Sequence, residues 1–312
     1  MIDRTDVEAA RDRLAGQVRR TPVLELGRGE LAGDVVLKLE LLQHTGTFKA
    51  RGALNRVLAA GAAGALDPAV GLVVASGGNA GLANAWAAAR VGVPAVVYVP
   101  ETAPAVKVAR LRTYGATVVH AGAEYADAYA AAQEHRARTG ALYCHAYDQP
   151  EIAAGAGTLA LELVEQVDRP VSTVVVAVGG GGLMAGVAAA LEGSGVGVVG
   201  VEPEAAPTLR AALDSGRPTD VAVSGVAADS LGARRIGDIG FDLARRTGVV
   251  SVLVDDAQIS AARSLLWESW RIVVEHGAAA ALAGLTSGRY VPEPDERVAV
   301  VLCGANTDPS DL

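Results

Sequence analysis

The chain has 312 residues, of which 51% are hydrophobic, 20% charged and 4% aromatic, so it is long enough for two domains or one large one. The formal net charge is −8 without any basic cluster, which argues against nucleic acid and anionic membrane surfaces as partners. The two cysteines, Cys144 and Cys303, do not indicate a disulfide framework, and the N-terminus lacks the apolar core of a secretory signal. These features predict a cytoplasmic protein.

The first part of the chain predicts a helix, an extended segment, a strand and a second helix. They cover residues 5–18, 20–24, 34–40 and 49–58. Asp3 or Thr5 can cap the first helix, and Thr45 or Thr47 can cap the second.

Short apolar runs then alternate with alanine-rich periodic segments. The predicted strands are 71–75, 95–99, 117–120, 141–145, 173–178, 197–201, 249–254 and 297–303. The predicted helices are 80–91, 104–114, 124–139, 152–167, 184–191, 207–215, 257–275 and 278–287. Residues 217–238 are polar and are predicted to be irregular. The alternation is typical of βα repeats on parallel sheets, so we predict an α/β fold.

One stretch requires a membrane test, because residues 171–191 contain no charge and are long enough to span a bilayer. Four consecutive glycines, 179–182, lie in its middle. In a helix each would cost roughly 1 kcal/mol relative to alanine. We therefore predict a buried strand, a glycine turn and a helix, and no association with the membrane.

The stretch from Gln43 to Ala53, Gln-His-Thr-Gly-Thr-Phe-Lys-Ala-Arg-Gly-Ala, places Lys49 at the start of a helix. A helix N-terminus disfavours a second positive charge, and burial would lower the lysine pKa further. A lysine that is neutral near pH 7 is a nucleophile and a proton-transfer base, whereas the ordinary alternative is a solvated surface lysine.

This stretch resembles the lysine motif of pyridoxal phosphate (PLP) enzymes of the tryptophan synthase β-like group, also called fold type II. It is most similar to the serine/threonine dehydratases, whose motif is Gln-x-Thr-Gly-Ser-Phe-Lys-x-Arg-Gly-Ala, with Thr47 here in place of serine. The resemblance implies that Lys49 carries the cofactor and that Phe48 lies against one face of its ring. It also implies two open parallel-sheet, three-layer α/β domains. The large one would hold residues 1–46 and 146–312, and the small one residues 47–145.

Residues Ser76, Gly77, Gly78, Asn79 and Ala80 follow a predicted strand and open a helix, where backbone N–H groups and the helix dipole can bind an anion. A plain glycine-rich βα turn capped by asparagine is the alternative. The resemblance places the substrate-binding loop here, with Asn79 beside the phenolic oxygen of the cofactor. Racemase relatives carry a serine directly before the Gly-Asn pair, where this chain has Gly77, so we expect little or no racemisation.

The second glycine turn, Gly179, Gly180, Gly181 and Gly182 followed by Leu183, also lies between a predicted strand and a helix. Such a turn lets the backbone approach a phosphate closely, and it does not match the G-x-G-x-x-G dinucleotide pattern. The resemblance makes it the phosphate cradle of the cofactor.

Cys303 ends the last predicted strand, in Cys-Gly-Ala-Asn. A buried thiol there is ordinarily a packing residue, although ligands collect at this edge of open α/β sheets. The family motif is Ser/Cys-Gly-Gly-Asn, and its first residue faces the pyridine nitrogen, so the resemblance assigns that role to Cys303. A neutral partner makes the ring a weaker electron sink than an aspartate would, which suits β-elimination.

Five further positions are carried over from the resemblance. Glu202 matches a position near the cofactor phosphate or a bound monovalent or divalent cation, and Thr208 stands where some relatives have a second carboxylate. Ala228 and Asp229 match the segment lining the other face of the ring. Glu275 is a weak functional candidate, since a surface acid at a helix end is as good an interpretation. No histidine spacing indicates a metal site.

The resemblance implies an ammonia-lyase that eliminates water from L-threonine or L-serine. Hydrolysis of the released aminocrotonate or aminoacrylate then takes up water again and yields a 2-oxo acid and ammonia. A β-replacement enzyme of the cysteine synthase type is one alternative, and a non-catalytic PLP-binding relative is another. Serine, threonine and a hydroxyaspartate are not ranked, and the family implies a homodimer. Because the printed sequence continues only to Leu312, we expect no isoleucine-responsive regulatory domain.

Overall fold

The computed structural model describes residues 1–27, 29–31 and 33–312, which form an α/β structure with two separate sheets. The strands are Val23–Glu25 (β1), Asp34–Lys38 (β2), Leu72–Ala75 (β3), Ala95–Val99 (β4), Thr117–His120 (β5), Leu142–Tyr143 (β6), Thr173–Ala177 (β7), Gly197–Pro203 (β8), Val250–Val254 (β9) and Arg297–Val301 (β10). The α-helices are Arg4–Leu14 (α1), Lys49–Ala62 (α2), Asn79–Val91 (α3), Ala105–Thr113 (α4), Tyr125–Thr139 (α5), Pro150–Gln166 (α6), Gly182–Leu191 (α7), Thr208–Ser215 (α8), Asp238–Thr247 (α9), Asp256–Trp270 (α10) and His276–Thr286 (α11).

The larger sheet has the strand order β1-β2-β10-β7-β8-β9, and only the β1–β2 pair is antiparallel among the strands of the described residues. Every residue of β7 and β10 is buried, as expected for parallel strands covered on both faces. Val300 lies opposite Val175 on one side and Leu37 on the other, so the carboxyl ends of β2, β10 and β7 share one edge.

The smaller sheet has the order β5-β4-β3-β6, and its three strand pairs are parallel. Strand β3 is buried along its whole length and ends at Ala75, so residues 76–80 follow its carboxyl end. The predicted α/β fold with two parallel sheets is confirmed, and β1 adds an antiparallel edge strand to the larger one.

Helix α2 approaches α6 so closely that glycines are required at the contact. A Cβ on Gly52 would lie 2.5 Å from the carbonyl oxygen of Ile152, and one on Gly155 would lie 2.8 Å from the carbonyl oxygen of Arg51. Real Cβ atoms do not tolerate such distances to backbone, so any side chain here would separate the helices. The backbone that carries Lys49 is therefore fixed against the helix layer of the larger sheet.

A buried charge cluster adds a second anchor for α2. The guanidinium of Arg51 donates to both oxygens of Glu40, at 2.9 and 2.7 Å, and to Glu162 at 2.9 Å. The ammonium of Lys38, which has no exposed surface, donates to Glu162 at 2.6 Å. Buried charges are stable only when they are paired and hydrogen-bonded, and here the pairing also fixes the first turn of α2.

The predicted cap of α2 is wrong. Phe48 occupies the N-cap position and makes no side-chain cap bond. The hydroxyls of Thr45 and Thr47 are buried and have no hydrogen-bond partner among the described residues. Thr45 adopts a φ of 64°, within a short 3₁₀ turn, so the chain turns into α2 through the backbone and not through a capping side chain.

Other boundaries also differ from the prediction. Asp3 does cap α1, but the helix ends at Leu14 and not at residue 18. Helix α10 ends at Trp270, five residues before the predicted end at 275, because Arg271 adopts a left-handed φ of 56°. Helix α9 was not predicted, since its sequence mixes charged residues with few apolar ones.

The uncharged stretch 171–191 forms β7, the glycine turn and α7, as predicted. Within the described ranges, no helix combines the length and apolar character needed to cross a membrane.

Candidate active site

A cleft of about 710 Å³ is lined by residues that follow the carboxyl ends of strands in both sheets. Asn79 follows β3, His145 follows β6, the glycine turn follows β7 and Cys303 follows β10. Ligands of open α/β sheets bind at this edge.

Lys49 lies in this cleft. Its Nζ donates to the carbonyl oxygen of Ala146 at 3.3 Å and lies 4.9 Å from the centroid of the Phe48 ring. Burial lowers the pKa of the lysine, while the negative forms of Cys303 and Glu275 act in the opposite direction. The surface-lysine alternative is therefore not what the structure shows, and Lys49 is shielded as a neutral nucleophile requires.

At each position of the glycine turn, neighbouring residues occupy the space that a side chain would need. A Cβ on Gly180 would lie 2.4 Å from the ring of Tyr147, and one on Gly182 would lie 2.7 Å from the carbonyl oxygen of that tyrosine. Gly181 adopts a φ of 86°, which favours glycine. Helix α7 begins directly after this residue, and its free N–H groups and dipole make an anion site. Leu183, on the first turn of α7, also lines the cleft.

The loop after β3 divides between two cavities. Asn79 and Ala80 line the main cleft, whereas Gly77 and Gly78 line a smaller adjoining cavity of about 330 Å³. Ser76 lies outside the walls of both, and its hydroxyl accepts a bond from the Gly78 N–H at 3.3 Å. Asn79 therefore faces both cavities.

Cys303 is 4% exposed and lines the cleft just beyond β10. Burial raises the pKa of its thiol strongly, and the nearby Glu275 adds to this effect. Its carbonyl oxygen accepts the Phe48 N–H at 3.0 Å, so this residue also joins β10 to the lysine segment. The side chain enters the cleft as a neutral thiol.

Glu202 is buried, and both of its oxygens accept hydrogen bonds. They come from the N–H groups of Leu209 and Arg210, at 2.6 and 2.9 Å, and from the hydroxyls of Thr208 and Ser251, at 3.1 and 3.4 Å. The carboxylate thus satisfies the N-terminus of α8. Burial nevertheless raises its pKa to about 7.

No group of three or more His, Cys, Asp or Glu side chains is arranged for a metal ion in the part of the chain that the structure describes. Thr208 stands where some relatives have a second carboxylate. Its hydroxyl lies 2.5 Å from the carbonyl oxygen of Gly179 and 3.1 Å from Oε1 of Glu202, and it has one proton to share between these two acceptors.

The surface interpretation of Glu275 is wrong. The residue is 7% exposed, lines both cavities and accepts two bonds from Asn79. Asp229 is exposed, pairs with Lys107 of α4 and lines the smaller cavity. Ala228 lies outside both linings.

Sequence reasoning missed two residues that follow β6. Nδ1 of His145 accepts the backbone N–H groups of Tyr147 and Asp148, at 3.2 and 2.8 Å, which places the ring proton on Nε2. Burial lowers the pKa of this histidine, so it is neutral. Tyr147 packs beneath the glycine turn and donates its hydroxyl to the carbonyl oxygen of Arg235 at 3.2 Å. The feature of the sequence that could have indicated these two residues is their position directly after a strand of a parallel sheet.

The chemistry gathered here is that of an α/β enzyme that combines an amine nucleophile with a site for an anion. The family model described as "Pyridoxal-phosphate dependent enzyme" matches residues 14–304, and the chain belongs to that family.

The chain is similar to an L-threonine ammonia-lyase of Geobacter sulfurreducens, with 36% identity over 99% of this chain and 76% of that protein. It is also 36% identical to a phenylserine dehydratase of Ralstonia pickettii, over 98% of this chain and 94% of the relative. Among solved structures, a T.th. threonine deaminase is 35% identical, with a TM-score of 0.90 over 98% of this chain and 99% of the other. A maize serine racemase is 29% identical, with a TM-score of 0.92 over 99% of this chain and 95% of the other. These comparisons confirm the fold type II resemblance.

The residues of the cleft fit pyridoxal phosphate. The glycine turn lines the cleft and leads directly into the N-terminus of α7, whose free N–H groups can bind a phosphate. The amine of Lys49, the ring of Phe48 and the thiol of Cys303 line the same cleft. An amine, an apolar ring and a neutral hydrogen-bonding group meet the needs of the aldehyde, the ring face and the ring nitrogen of the cofactor.

Proposed function

We propose that the chain is a PLP-dependent ammonia-lyase that eliminates the β-hydroxyl of L-threonine or L-serine and yields a 2-oxo acid and ammonia. The observation that carries the proposal is the half-buried Lys49 amine in a cleft that also holds the glycine turn and Asn79. The names of the relatives support the substrate class.

Bound PLP supplies an electron sink for the charge that develops at the α-carbon of the substrate. Lys49 would hold the cofactor through its Nζ, and the same amine, when freed, would accept the α-proton of the substrate. Burial supports this role, because it lowers the pKa of the amine and so leaves it free to accept a proton.

The two glycine-containing turns bind the anionic parts. Gly179, Gly180, Gly181 and Gly182, with Leu183, hold the phosphate of the cofactor through backbone N–H groups. Residues 76–80 hold the carboxylate of the substrate at the start of α3, with Asn79 directed at the shared wall of the two cavities.

Cys303 and Phe48 complete the cofactor site. The Cys303 thiol hydrogen-bonds the ring nitrogen without giving it a full positive charge, and this favours elimination, where the leaving group carries the electrons away. Phe48 packs on one face of the ring. A neutral thiol is what burial produces at position 303.

The domain division and the assembly are part of the same proposal. Residues 47–145 form the smaller domain, residues 1–46 and 146–312 form the larger one, and two copies of the chain pair as a homodimer in the cytoplasm. A cation beside Glu202 is a separate proposal, and it would share a carboxylate that already accepts four bonds. Activity that depends on added K⁺ or Mg²⁺ after chelation would support it.

The test is a 2-oxo acid assay on the PLP-loaded protein with L-threonine, L-serine and 3-hydroxyaspartate. We expect 2-oxobutanoate or pyruvate together with equimolar ammonia. Cysteine formed from O-acetylserine and sulfide, without 2-oxo acid from either hydroxy amino acid, would instead identify a β-replacement enzyme. A full cofactor spectrum without any turnover would indicate a non-catalytic relative.

A further inference from the structure

Glu275 immediately precedes α11, at its N-cap position. An acidic residue there ordinarily folds back to cap the free N–H groups of its own helix, but this side chain makes no such cap bond. Its carboxylate points away from the helix, into the wall shared by the main cleft and the smaller cavity. The carboxylate is therefore used for something other than stabilising its helix.

Its partner is the side-chain amide of Asn79. Nδ2 of Asn79 donates to both oxygens of Glu275, at 2.8 and 3.0 Å. On the other side, Oδ1 of Asn79 accepts a bond from Nδ2 of Asn306 at 2.6 Å, and that same nitrogen donates to the carbonyl oxygen of Thr45 at 2.9 Å. The carboxylate of Glu275 can only accept hydrogen bonds, so it must face the amino group of Asn79. The amino group of Asn306 is identified by its bond to the carbonyl oxygen of Thr45, so it must face Oδ1 of Asn79. Only one orientation of the Asn79 amide therefore satisfies every bond.

The backbone holds Glu275 in this position. Its N–H donates to the carbonyl oxygen of Gly304 at 3.1 Å. A Cβ on Gly304 would lie 2.5 Å from Oε1 of Glu275, so the glycine directly after Cys303 leaves the space that the carboxylate occupies. The end of β10, the start of α11 and the loop before α3 thus meet at one carboxylate.

Charged and titratable groups of four other segments surround Glu275. The amine of Lys49 and the thiol of Cys303 line the main cleft with it, and Lys107, Arg110 and Asp229 line the smaller cavity with it. Burial raises the pKa of Glu275 to about 7, while Asn79 and Lys49 lower it and Asp229 raises it. Burial lowers the pKa of Lys49, and the charge of Glu275 opposes that shift.

We propose that Glu275 is a positioning residue of the active site, which fixes the amide of Asn79 and provides the negative charge that faces Lys49. The kinetic part of this inference rests on the proposed elimination reaction. The spectroscopic and cofactor-binding parts do not, because they are measured without substrate.

The substitution that removes both functions while keeping the size of the side chain is Glu275→Gln. Glutamine keeps the size, but its amino group cannot accept from Asn79, and its charge is lost. We expect kcat/KM to fall by roughly 10- to 100-fold. The pH transition in the absorbance of the PLP-loaded enzyme should move to lower pH, because a positive charge near residue 49 loses its anionic neighbour.

Glu275→Asp keeps the charge and should restore part of both properties. Glu165→Gln is the matched control, because Glu165 is an exposed acid that pairs with Arg20 on the surface. The control should leave the spectrum and kcat/KM unchanged. Thermal unfolding of each variant establishes that it is folded before the comparison is made.

A double-mutant cycle with Asn79→Ala tests whether Glu275 acts through Asn79. If it does, the loss of PLP affinity in the double variant should be no greater than in the worse single variant. Losses that multiply in the double variant, or a pH transition unmoved in Glu275→Gln, would overturn the proposal. Wild-type protein without turnover would defeat the proposed function and leave these two results standing.

Discussion

Two glycine-containing turns line the same cleft, but different forces hold them. Neighbouring atoms lie within 3.3 Å of the missing Cβ positions throughout residues 179–182, so the turn is fixed by packing. In the other loop, a Cβ on Gly77 would meet only Val99, with its nearest atom at 3.4 Å, and one on Gly78 would meet nothing within 4 Å. That loop is instead held by the hydrogen bonds of Asn79.

The difference shows what each turn can tolerate. A turn held by packing excludes side chains and keeps its N–H groups in place without polar partners. A turn held by a few hydrogen bonds accepts added atoms but depends on each partner, because an unpaired buried polar group is costly. We therefore expect an added side chain to be harmful in the turn at 179–182 and to be tolerated in the loop at 76–80. The loss of a hydrogen-bond partner should instead be harmful in the loop at 76–80.

The largest expected effect is at Lys49, which lies in the cleft that both turns line. Lys49→Ala should lower 2-oxo acid formation by roughly 10³-fold or more, because both the nucleophile and the base are lost. It should also remove the absorbance band of lysine-linked PLP near the visible edge. A variant that retained both the band and the activity would show that another residue carries the cofactor.

The next effect tests the packed turn directly. Gly180→Ala would place a methyl group 2.4 Å from the ring of Tyr147. We expect PLP affinity, measured by fluorescence titration, to fall by roughly 10-fold or more, since overpacking of this kind costs about 1–3 kcal/mol.

Gly78→Ala is the matched control in the loop held by hydrogen bonds, because its Cβ would enter open space. Its PLP affinity should stay close to that of the wild type. Equal losses in both variants would mean that packing does not distinguish the two turns.

A third prediction concerns pH. Burial raises the pKa of Glu202 from its ordinary value of 4.5 to about 7, so the folded state holds a proton that the unfolded state has released between these values. The stabilisation is present in full below pH 4.5 and is lost as pH rises through about 7.

In Glu202→Gln, the free energy of unfolding should therefore fall less between pH 4.5 and 7 than in the wild type, by on the order of 1–3 kcal/mol. The measurement is urea unfolding of the PLP-free protein across pH 4.5 to 7. Glu275 titrates in the same range, so the comparison is the difference in slope between variant and wild type. An unchanged slope would mean that Glu202 is ionised throughout in the folded state.

The smallest expected effect is a gain at Gly77. The 3.4 Å distance to Val99 leaves room for a serine, whose hydroxyl would supply a proton donor directly before Gly78-Asn79. We expect Gly77→Ser to form measurable D-serine during turnover of L-serine, and the wild type to form little or none. Chiral analysis of residual serine is the readout, and substantial D-serine from the wild type would show that another side chain donates the proton.

Apart from α9, the sequence was sufficient for the order of helices and strands, because apolar strands and alanine-rich helices alternate with clear periods and glycines mark the turns. It was sufficient to single out Lys49, Asn79 and Cys303, since each directly follows a strand or a turn in a recognisable motif. It was not sufficient for Glu275, because an acid at a helix start looks the same whether it faces solvent or a buried amide. Residues such as Tyr147 were missed because their contacts join segments far apart in the chain.

The cluster around Arg51 has an electrostatic consequence for the lysine two residues earlier. Lys38 and Arg51 contribute two positive charges, and Glu40 and Glu162 contribute two negative ones, so this quartet is neutral as a whole. Without these carboxylates, the positive charge of the Arg51 guanidinium would disfavour protonation of the nearby Lys49 amine. Because the charges of the quartet cancel, its net charge has almost no effect on the cleft. The proton affinity of Lys49 is therefore set by the groups that line the cleft itself.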